Sequence, residues 1–196
     1  FQEAFARGDS MSLFGSSIEA GLRLVPVYSA TSLICDTVST LPLRVYRDLG
    51  EGVRDRVKSQ PKLVTAPAPF GGRIAWVHQA MSSLLLRGNA TGVVLASDSS
   101  GTPSTVAWQH PDCVRVDESQ YLPRFFVREV EVPAESIVHI PAYVLPGSIV
   151  GLSPLRLFKM QFEAGMQAQK FGLDWYRNGT APTGKLRNTE QVVSAK

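Results

Sequence analysis

The sequence predicts an α+β fold in which short strands pack with helices and one long amphipathic helix follows. Segments with strand-like alternation and segments with helical spacing are mixed along the 196 residues. They show no regular strand–helix–strand alternation, which favours an α+β domain over a doubly wound sheet. The long helix is predicted over residues 153–177, after all of the strands. Hydrophobic residues make up 44% of the chain and charged residues 19%, which is typical of a globular protein with a sizeable core.

Two helices are predicted after a loose N-terminal arm, residues 1–15, that has no clear period. Ser16 followed by Glu19 is a capping box that opens a short helix. Pro26 suits the first turn of the next helix, and Pro42 ends it. Between the two prolines, residues recur at helical spacing: Val27, Ala30, Thr31, Ile34, Val38 and Leu41.

A hairpin, a loop and a third helix come next. Leu43–Arg47 alternates like a half-buried strand, and residues 53–57 return as its partner after a glycine-containing turn. Three prolines and two glycines mark residues 61–72 as a connecting loop. The helix Arg73–Arg87 then ends at Gly88, a typical C-terminal cap.

Short strands fill the chain up to the long helix. A Pro/Gly-rich segment, residues 141–152, separates the last strand from the helix and is predicted to be a hinge. The predicted strands are residues 91–96, 105–109, 113–116, 124–127, 130–132 and 137–140.

Charge and cysteine content narrow the function classes. A net charge of +3 is too small to identify a nucleic-acid-binding protein. Cys35 and Cys113 lie far apart without zinc-ligand spacing, so we expect no disulfide framework, and a reducing compartment fits best. The most apolar long stretch, residues 22–43, is too polar to span a membrane. The chain begins at Phe1 with neither a Met nor a signal peptide, so we expect upstream residues and a larger protein.

The segment Gly179–Lys185 has the glycine and lysine spacing of a phosphate-binding P-loop. The residue after the lysine should carry a hydroxyl that holds magnesium, and here it is Leu186. Pro182 also removes a backbone N–H donor. A nucleotide-hydrolysing enzyme therefore stays only as an alternative, which magnesium–ATP binding that is abolished by Lys185→Ala would support.

No other pattern indicates catalysis. His78, His110 and His139 are spread along the chain without ligand spacing, and each is predicted to be structural. The carboxylates form no evident acid/base pair, and no Gly-x-Ser-x-Gly elbow occurs in the sequence. We therefore predict no catalytic residue, no cofactor and no metal site.

The long helix presents two opposed stripes. The first is apolar and is expected to pack against the rest of the protein or its neighbours; its candidate packing residues are Leu155, Phe158, Phe162, Met166 and Leu173. The second is charged, with four cations and two anions: Arg156, Lys159, Glu163, Lys170, Asp174 and Arg177. A surface that grips DNA would carry more cations and fewer anions, because affinity grows with the number of phosphates neutralised. The mixed stripe suits a solvated face, a subunit contact, or a wall along which DNA slides.

A generic DNA- or protein-binding module is a second alternative. It predicts duplex binding that falls steeply with salt. We expect weak binding or none.

Several segments, in order, resemble the portal proteins of tailed double-stranded DNA bacteriophages. The resemblance covers roughly residues 25–190. It is carried by Leu33–Tyr46, Leu84–Ala90, His110–Val116, Ile137–Ile140, Gly151–Leu155 and Tyr176–Gly184. In the last of these, the sequence departs from the family's usual paired Phe, because Trp175-Tyr176 precedes Asn178-Gly179.

The resemblance implies a wing over residues 16–152, a stem helix over residues 153–177 and the incomplete start of a clip over residues 178–196. By the same resemblance, we expect the rest of the clip, the second stem helix, the tunnel loop and any crown to lie outside these 196 residues. Under this interpretation, the charged stripe of the helix faces a tunnel or a neighbouring subunit. The residues that would enter the clip are Asn178, Gly179, Pro182 and Gly184.

The resemblance also implies a function and partners. Portal subunits form a ring, usually of twelve, at one capsid vertex of the virion, and they assemble in the host cytoplasm. Double-stranded DNA enters and leaves through the ring. The implied partners are other portal subunits, the terminase large subunit, a head–tail adaptor, and a major capsid or scaffold protein, with no membrane.

Overall fold

A computed structural model of the chain describes residues 21–119 and 122–177. The predicted N-terminal arm, the helix opened by Ser16, and the segment from Asn178 onward lie outside the described residues. The P-loop-like segment and the predicted clip entry therefore stay predictions.

Helices α1 (Val25–Thr40) and α3 (Gly72–Arg87) pack against each other. Pro26 occupies the first turn of α1, as predicted, since its fixed φ suits that position. At the other end of α1, the Arg73 guanidinium donates to the Leu41 carbonyl oxygen at 2.8 Å. The His78 ring lies 3.4 Å from the Asp36 carboxylate, so two polar contacts accompany the packing.

The residues that α1 buries are not the apolar residues whose helical spacing predicted the helix. Cys35 and Ser39 are buried, whereas Ile34 and Leu41 are 42% and 54% exposed. Small side chains let two helices approach closely, which explains why this face, rather than the more apolar one, meets α3.

The predicted hairpin is confirmed. Strands β1 (Tyr46–Asp48) and β2 (Arg54–Arg56) pair antiparallel. The Gln60 side chain fixes the base of the hairpin, because its amide accepts from the Val45 N–H at 2.7 Å and donates to the Val45 carbonyl at 3.1 Å. A short helix, α2 (Lys62–Thr65), interrupts the segment that was predicted to be only a loop.

One three-stranded antiparallel sheet supports α3. It has the order β4–β3–β8, where β3 is Asn89–Ser97, β4 is Pro103–Trp108 and β8 is Ile137–Pro141. The Trp76 indole N–H of α3 donates to the Val106 carbonyl at 2.8 Å, and the Trp76 and Trp108 rings lie 4.8 Å apart. Trp76 and Trp108 thus pack against each other between helix and sheet, as expected for packing aromatics.

A second antiparallel sheet has the order β5–β6–β7, where β5 is Val114–Asp117, β6 is Arg124–Val127 and β7 is Val130–Val132. Buried Phe125 meets the His139 ring of the first sheet edge-on at 5.6 Å. This contact joins the two sheets.

The predicted long helix is confirmed except at one residue. It begins as α4 (Pro154–Leu157) and continues as α5 (Lys159–Arg177), since Phe158 leaves helical geometry with φ −104° and ψ 25°. The two parts of the helix make different contacts. In α4, the buried Leu155 side chain packs directly on Gly21, so closely that a Cβ at Gly21 would lie 2.4 Å from it. In α5, Gly165 lies next to the Leu24 side chain. A continuous helix over residues 153–177 was therefore wrong at one turn.

Candidate functional site

Helix α5 has no buried residue, although its 19 residues make it the longest described helix. Large apolar side chains are among the exposed ones; Phe171 and Tyr176 are 71% and 78% exposed. The Phe171 and Trp175 rings stack with their centroids 6.3 Å apart, and both side chains stay exposed among the described residues. An exposed apolar side on a helix of this length is typical of a surface for association.

The five candidate packing residues fall into three groups. Leu155 is buried, Phe162 and Met166 are half-buried, and Phe158 and Leu173 are exposed. Packing among the described residues therefore covers Leu155 fully and Phe162 and Met166 in part. The distal part of the stripe, around Leu173, stays exposed among the described residues.

The charged stripe lies at the surface. Arg156, Lys170, Asp174 and Arg177 are exposed, whereas Lys159 and Glu163 are half-buried. Lys159 and Glu163 form an i,i+4 ion pair at 3.9 Å, whereas Lys170 and Asp174, which have the same spacing, form none. The stripe keeps its mixed sign, and nothing in the described residues neutralises its distal half.

The start of the long helix is tied to the end of α3 by one asparagine. The Asn89 side-chain N–H donates to the Gly151 carbonyl, and its oxygen accepts from the Gly151 N–H, both at 2.7 Å. The same amide donates to the Arg87 carbonyl at 3.2 Å, and its oxygen contacts His139 Nε2 at 3.1 Å. We call Gly88, Asn89 and Gly151 the junction clamp. Its hydrogen bonds join positions 62 residues apart.

Glycine is required at two positions of the clamp. Gly88 ends α3 with φ +72°, and a Cβ there would lie 1.9 Å from the Leu152 carbonyl oxygen. A Cβ on Gly151 would lie 2.2 Å from the Gly88 carbonyl oxygen. The two backbones therefore touch, and no side chain fits between them.

The segment predicted to be a hinge is fastened along its length. The Ala142 N–H donates to the Gly88 carbonyl at 2.8 Å, and Val144 bridges to Gly151. The Glu118 carboxylate accepts from the Ser148 hydroxyl at 3.0 Å and from the next backbone N–H. Prolines and glycines here shape a hydrogen-bonded turn, and movement about it as a hinge stays a prediction.

His139 is the structural histidine that the sequence predicted. Burial lowers its pKa below the ordinary 6.5, against an opposing effect of the Glu118 carboxylate. A neutral ring that donates from Nε2 to Asn89 explains its place beside the clamp. His78 lies beside Asp36, and the His110 side chain accepts from the Asp112 N–H at 3.3 Å, so neither is isolated.

Metal-binding clusters and membrane-spanning helices are both absent from the described ranges. No group of three or more His, Cys, Asp or Glu side chains in residues 21–119 and 122–177 is placed to hold a metal ion. In the same part of the chain, no helix combines the length and apolar character needed to cross a bilayer.

Comparison with known proteins decides the family. The sequence model of the family described as "Phage portal protein" matches residues 26–196, which is most of the chain. This chain belongs to the phage portal protein family. The match runs through the P-loop-like segment Gly179–Lys185 and so favours the portal interpretation of that segment over nucleotide binding.

The similar proteins agree with the family. A probable portal protein of Streptomyces phage phiC31 is 28% identical over 186 residues, which cover 82% of this chain and 38% of that protein. The crystal structure of an HK97 family phage portal protein from Corynebacterium diphtheriae superposes with a TM-score of 0.62 at 18% identity, over 83% of this chain and 51% of that one. A chain of the neck of a native gene transfer agent particle, computed with C12 symmetry, gives a TM-score of 0.64 at 18% identity, over 93% of this chain and 51% of that one.

These structures share the fold of this portal chain, which is α+β with a long helix near the C-terminal end of the described residues. The chain spans 38% of the curated relative and about half of the solved portal chains.

Sequence reasoning recognised the portal family but missed the clamp. Gly88 was predicted as a cap, and Asn89 was given no role. The only local signal for the clamp is that Asn89, an amide residue, directly follows the capping Gly88. Nothing in the sequence indicates that Asn89 contacts Gly151.

Proposed function

We propose that this chain is the wing and stem part of a portal subunit, a structural channel protein without catalytic residues. Copies would form a ring at one vertex of the capsid, through which double-stranded DNA is packaged and ejected. Residues 16–152 would form the wing, residues 153–177 the stem helix and residues 178–196 the start of the clip. The match of the portal family to residues 26–196 supports this proposal.

The single observation that carries the ring is the exposed helix α5. A helix of 19 residues is marginal in water unless packing covers its apolar side. Each large apolar side chain that a neighbour buries contributes about 1.5–3 kcal/mol, so Phe171, Leu173, Trp175 and Tyr176 together represent a substantial stabilisation. A head-to-tail contact that closes by rotation would supply this cover identically to every copy.

The charged stripe has a role in the same proposal. Its four cations and two anions nearly balance, which suits a contact with a neighbour or a tunnel wall past which DNA moves without being held. We assign Arg156, Lys159, Glu163, Lys170, Asp174 and Arg177 to one of these two surfaces.

The partners and location follow from the ring. The clip would meet the terminase large subunit during packaging and a head–tail adaptor afterwards, and the wing would meet the major capsid or scaffold protein. A twelve-fold ring is proposed, since a chain of similar fold belongs to a neck computed with C12 symmetry. The subunits would assemble in the host cytoplasm and end in the virion.

The test uses the full-length protein that contains this chain. Wild-type protein should form rings in negative-stain electron micrographs and show a multiple of the subunit mass by mass photometry. A monomer at micromolar concentration would contradict the proposal.

A second experiment tests the helix as the ring contact. The F171S/W175S variant removes two exposed apolar side chains and should abolish or strongly reduce rings without changing the circular dichroism spectrum. F158S/F162S should do the same through the nearer part of the stripe. The matched control is Q161S/Q169S, which changes two exposed polar residues of α5. Normal rings in both Phe variants would show that the helix contacts lie elsewhere.

A further inference from the structure

Positive charge is concentrated in one part of the chain. Residues 44–73 contain seven of the 20 lysines and arginines but only three of the 17 acidic residues. Their net charge is +4, so the remainder of the chain carries −1. The basic character of the protein therefore belongs to the β1–β2 hairpin and the turns that follow it.

Three of these arginines surround an open hollow of about 290 Å³. Arg44, Arg56 and Arg73 line it, and no acidic residue does. The other lining side chains include Pro42, Leu43 and Val64, so the hollow has an apolar side as well as a cationic one.

The guanidinium groups of Arg44 and Arg56 make no ion pair with any residue of the described ranges. By contrast, Arg87 and Arg124 each hold a carboxylate. On the hairpin itself, Arg54 lies directly across from Asp48 in the strand register, while Arg56 lies across from Tyr46. The hollow therefore combines two arginines that have no ion pair among the described residues with a lining that contains no carboxylate.

The surface around the hollow is apolar as well as basic. Leu41, Leu43 and Tyr46 are each about half exposed, at 54%, 45% and 49%. Phosphate backbones are contacted by cationic and polar groups and offer no partner for aliphatic side chains such as Leu41 and Leu43. A protein segment that alternates carboxylates with apolar side chains matches both properties, because guanidinium groups bind carboxylates with paired hydrogen bonds.

We propose that this hollow, which we call the arginine hollow (Arg44, Arg56 and Arg73), docks an acidic, apolar segment of a partner protein. The guanidinium groups bind carboxylates of the segment, and Leu43 and Val64 cover its apolar side chains. The proposal goes beyond ring formation, because the hollow is lined by the hairpin, α2 and the start of α3 and by no residue of helix α5.

The test measures binding of a fluorescein-labelled decapeptide of alternating glutamate and leucine to the full-length protein by fluorescence anisotropy. Comparison probes are the same peptide with glutamine for glutamate, and a 20-base-pair DNA duplex. We expect the acidic peptide to bind at least tenfold more tightly than either comparison probe, and we expect its affinity to fall between 50 and 500 mM salt.

Two matched double variants locate the site. R44Q/R56Q removes two charges from the hollow, whereas R47Q/R54Q removes two charges from the same hairpin outside it; none of the four side chains makes a hydrogen bond to a described residue. We expect R44Q/R56Q to weaken peptide binding at least tenfold, as for lost charge-assisted hydrogen bonds, and R47Q/R54Q to weaken it less than threefold.

Each contrary outcome overturns the proposal. Equal losses in the two double variants would mean diffuse attraction to the hairpin rather than a site. Tighter binding of the duplex than of the acidic peptide would mean a nucleic-acid surface. No peptide binding by wild-type protein at millimolar concentration would remove the site altogether. Circular dichroism of all variants separates these results from unfolding, and ring formation, scored in parallel, keeps this test independent of the proposed ring.

Discussion

Replacing Asn89 by alanine tests whether the junction clamp holds the long helix in place. The substitution removes the two hydrogen bonds to Gly151 at 2.7 Å and the bond to the Arg87 carbonyl at 3.2 Å. It also removes the acceptor of His139 Nε2 at 3.1 Å. Each bond contributes a net 0.5–1.5 kcal/mol, roughly. The N–H and carbonyl groups of buried Gly151 would lose their partners, so we expect the junction to lose about 3 kcal/mol in total.

The assay is hydrogen exchange of the full-length protein, read on a peptide that covers residues 142–152. Local opening controls exchange there, and about 3 kcal/mol corresponds to roughly a hundredfold faster exchange. A peptide from β4, residues 103–108, should exchange unchanged because the clamp does not touch it.

The control variant is Gln79→Ala, which truncates an exposed amide on α3. Exposed substitutions without such contacts change stability by about 0.5 kcal/mol or less. If Asn89→Ala left exchange of residues 142–152 within twofold of wild type, the clamp would not be what holds the junction, and this reasoning would be refuted.

Three further predictions follow from the same packing. Gly88→Ala should prevent folding of the junction, because its Cβ would lie 1.9 Å from the Leu152 oxygen; soluble yield of this variant at wild-type level would contradict it. Burial lowers the pKa of His139, so the unfolded chain takes up this proton first as pH falls. The free energy of unfolding should therefore be at its full value above the ordinary pKa of about 6.5 and decline below it. Urea titrations at pH 7.5 and pH 5.5 measure this decline, which should be smaller in His139→Gln than in wild type. Trp76→Phe removes the 2.8 Å hydrogen bond to the Val106 carbonyl and should cost about 1–2 kcal/mol in the same titrations, whereas unchanged stability would mean that the bond contributes nothing net.

Local signals in the sequence predicted many elements of the fold. Pro26 marked the start of α1, Gly88 marked the end of α3, and alternation gave both strands of the hairpin. Each signal acts within a few residues, since a proline fixes its own φ and a glycine permits φ +72° wherever the chain requires it. Such features need no knowledge of distant contacts.

Local signals in the sequence did not predict which face of a helix is buried. The pattern of α1 contains apolar residues on more than one side, and the structure buries Cys35 and Ser39 while it leaves Leu33 69% exposed. Which face is buried depends on how closely α3 approaches, and that distance is set by side chains of another element. The Asn89–Gly151 contact is non-local for the same reason, because its partners are 62 residues apart.

If the subunit is part of a ring, the junction clamp holds the base of the exposed helix so that its apolar side can meet a neighbour. Helix α5 has 19 residues and at 1.5 Å per residue extends about 28 Å. A tilt of about 10° at its base would move its tip by about 5 Å, which exceeds the ~4 Å at which apolar side chains make contact. Side chains such as Trp175 could then meet a neighbour only if the base were held rigidly. A free hinge before the helix would therefore oppose the association that its exposed face requires, whereas hydrogen bonds through Asn89 and direct backbone contact between Gly88 and Leu152 fix the direction in which the helix leaves the fold.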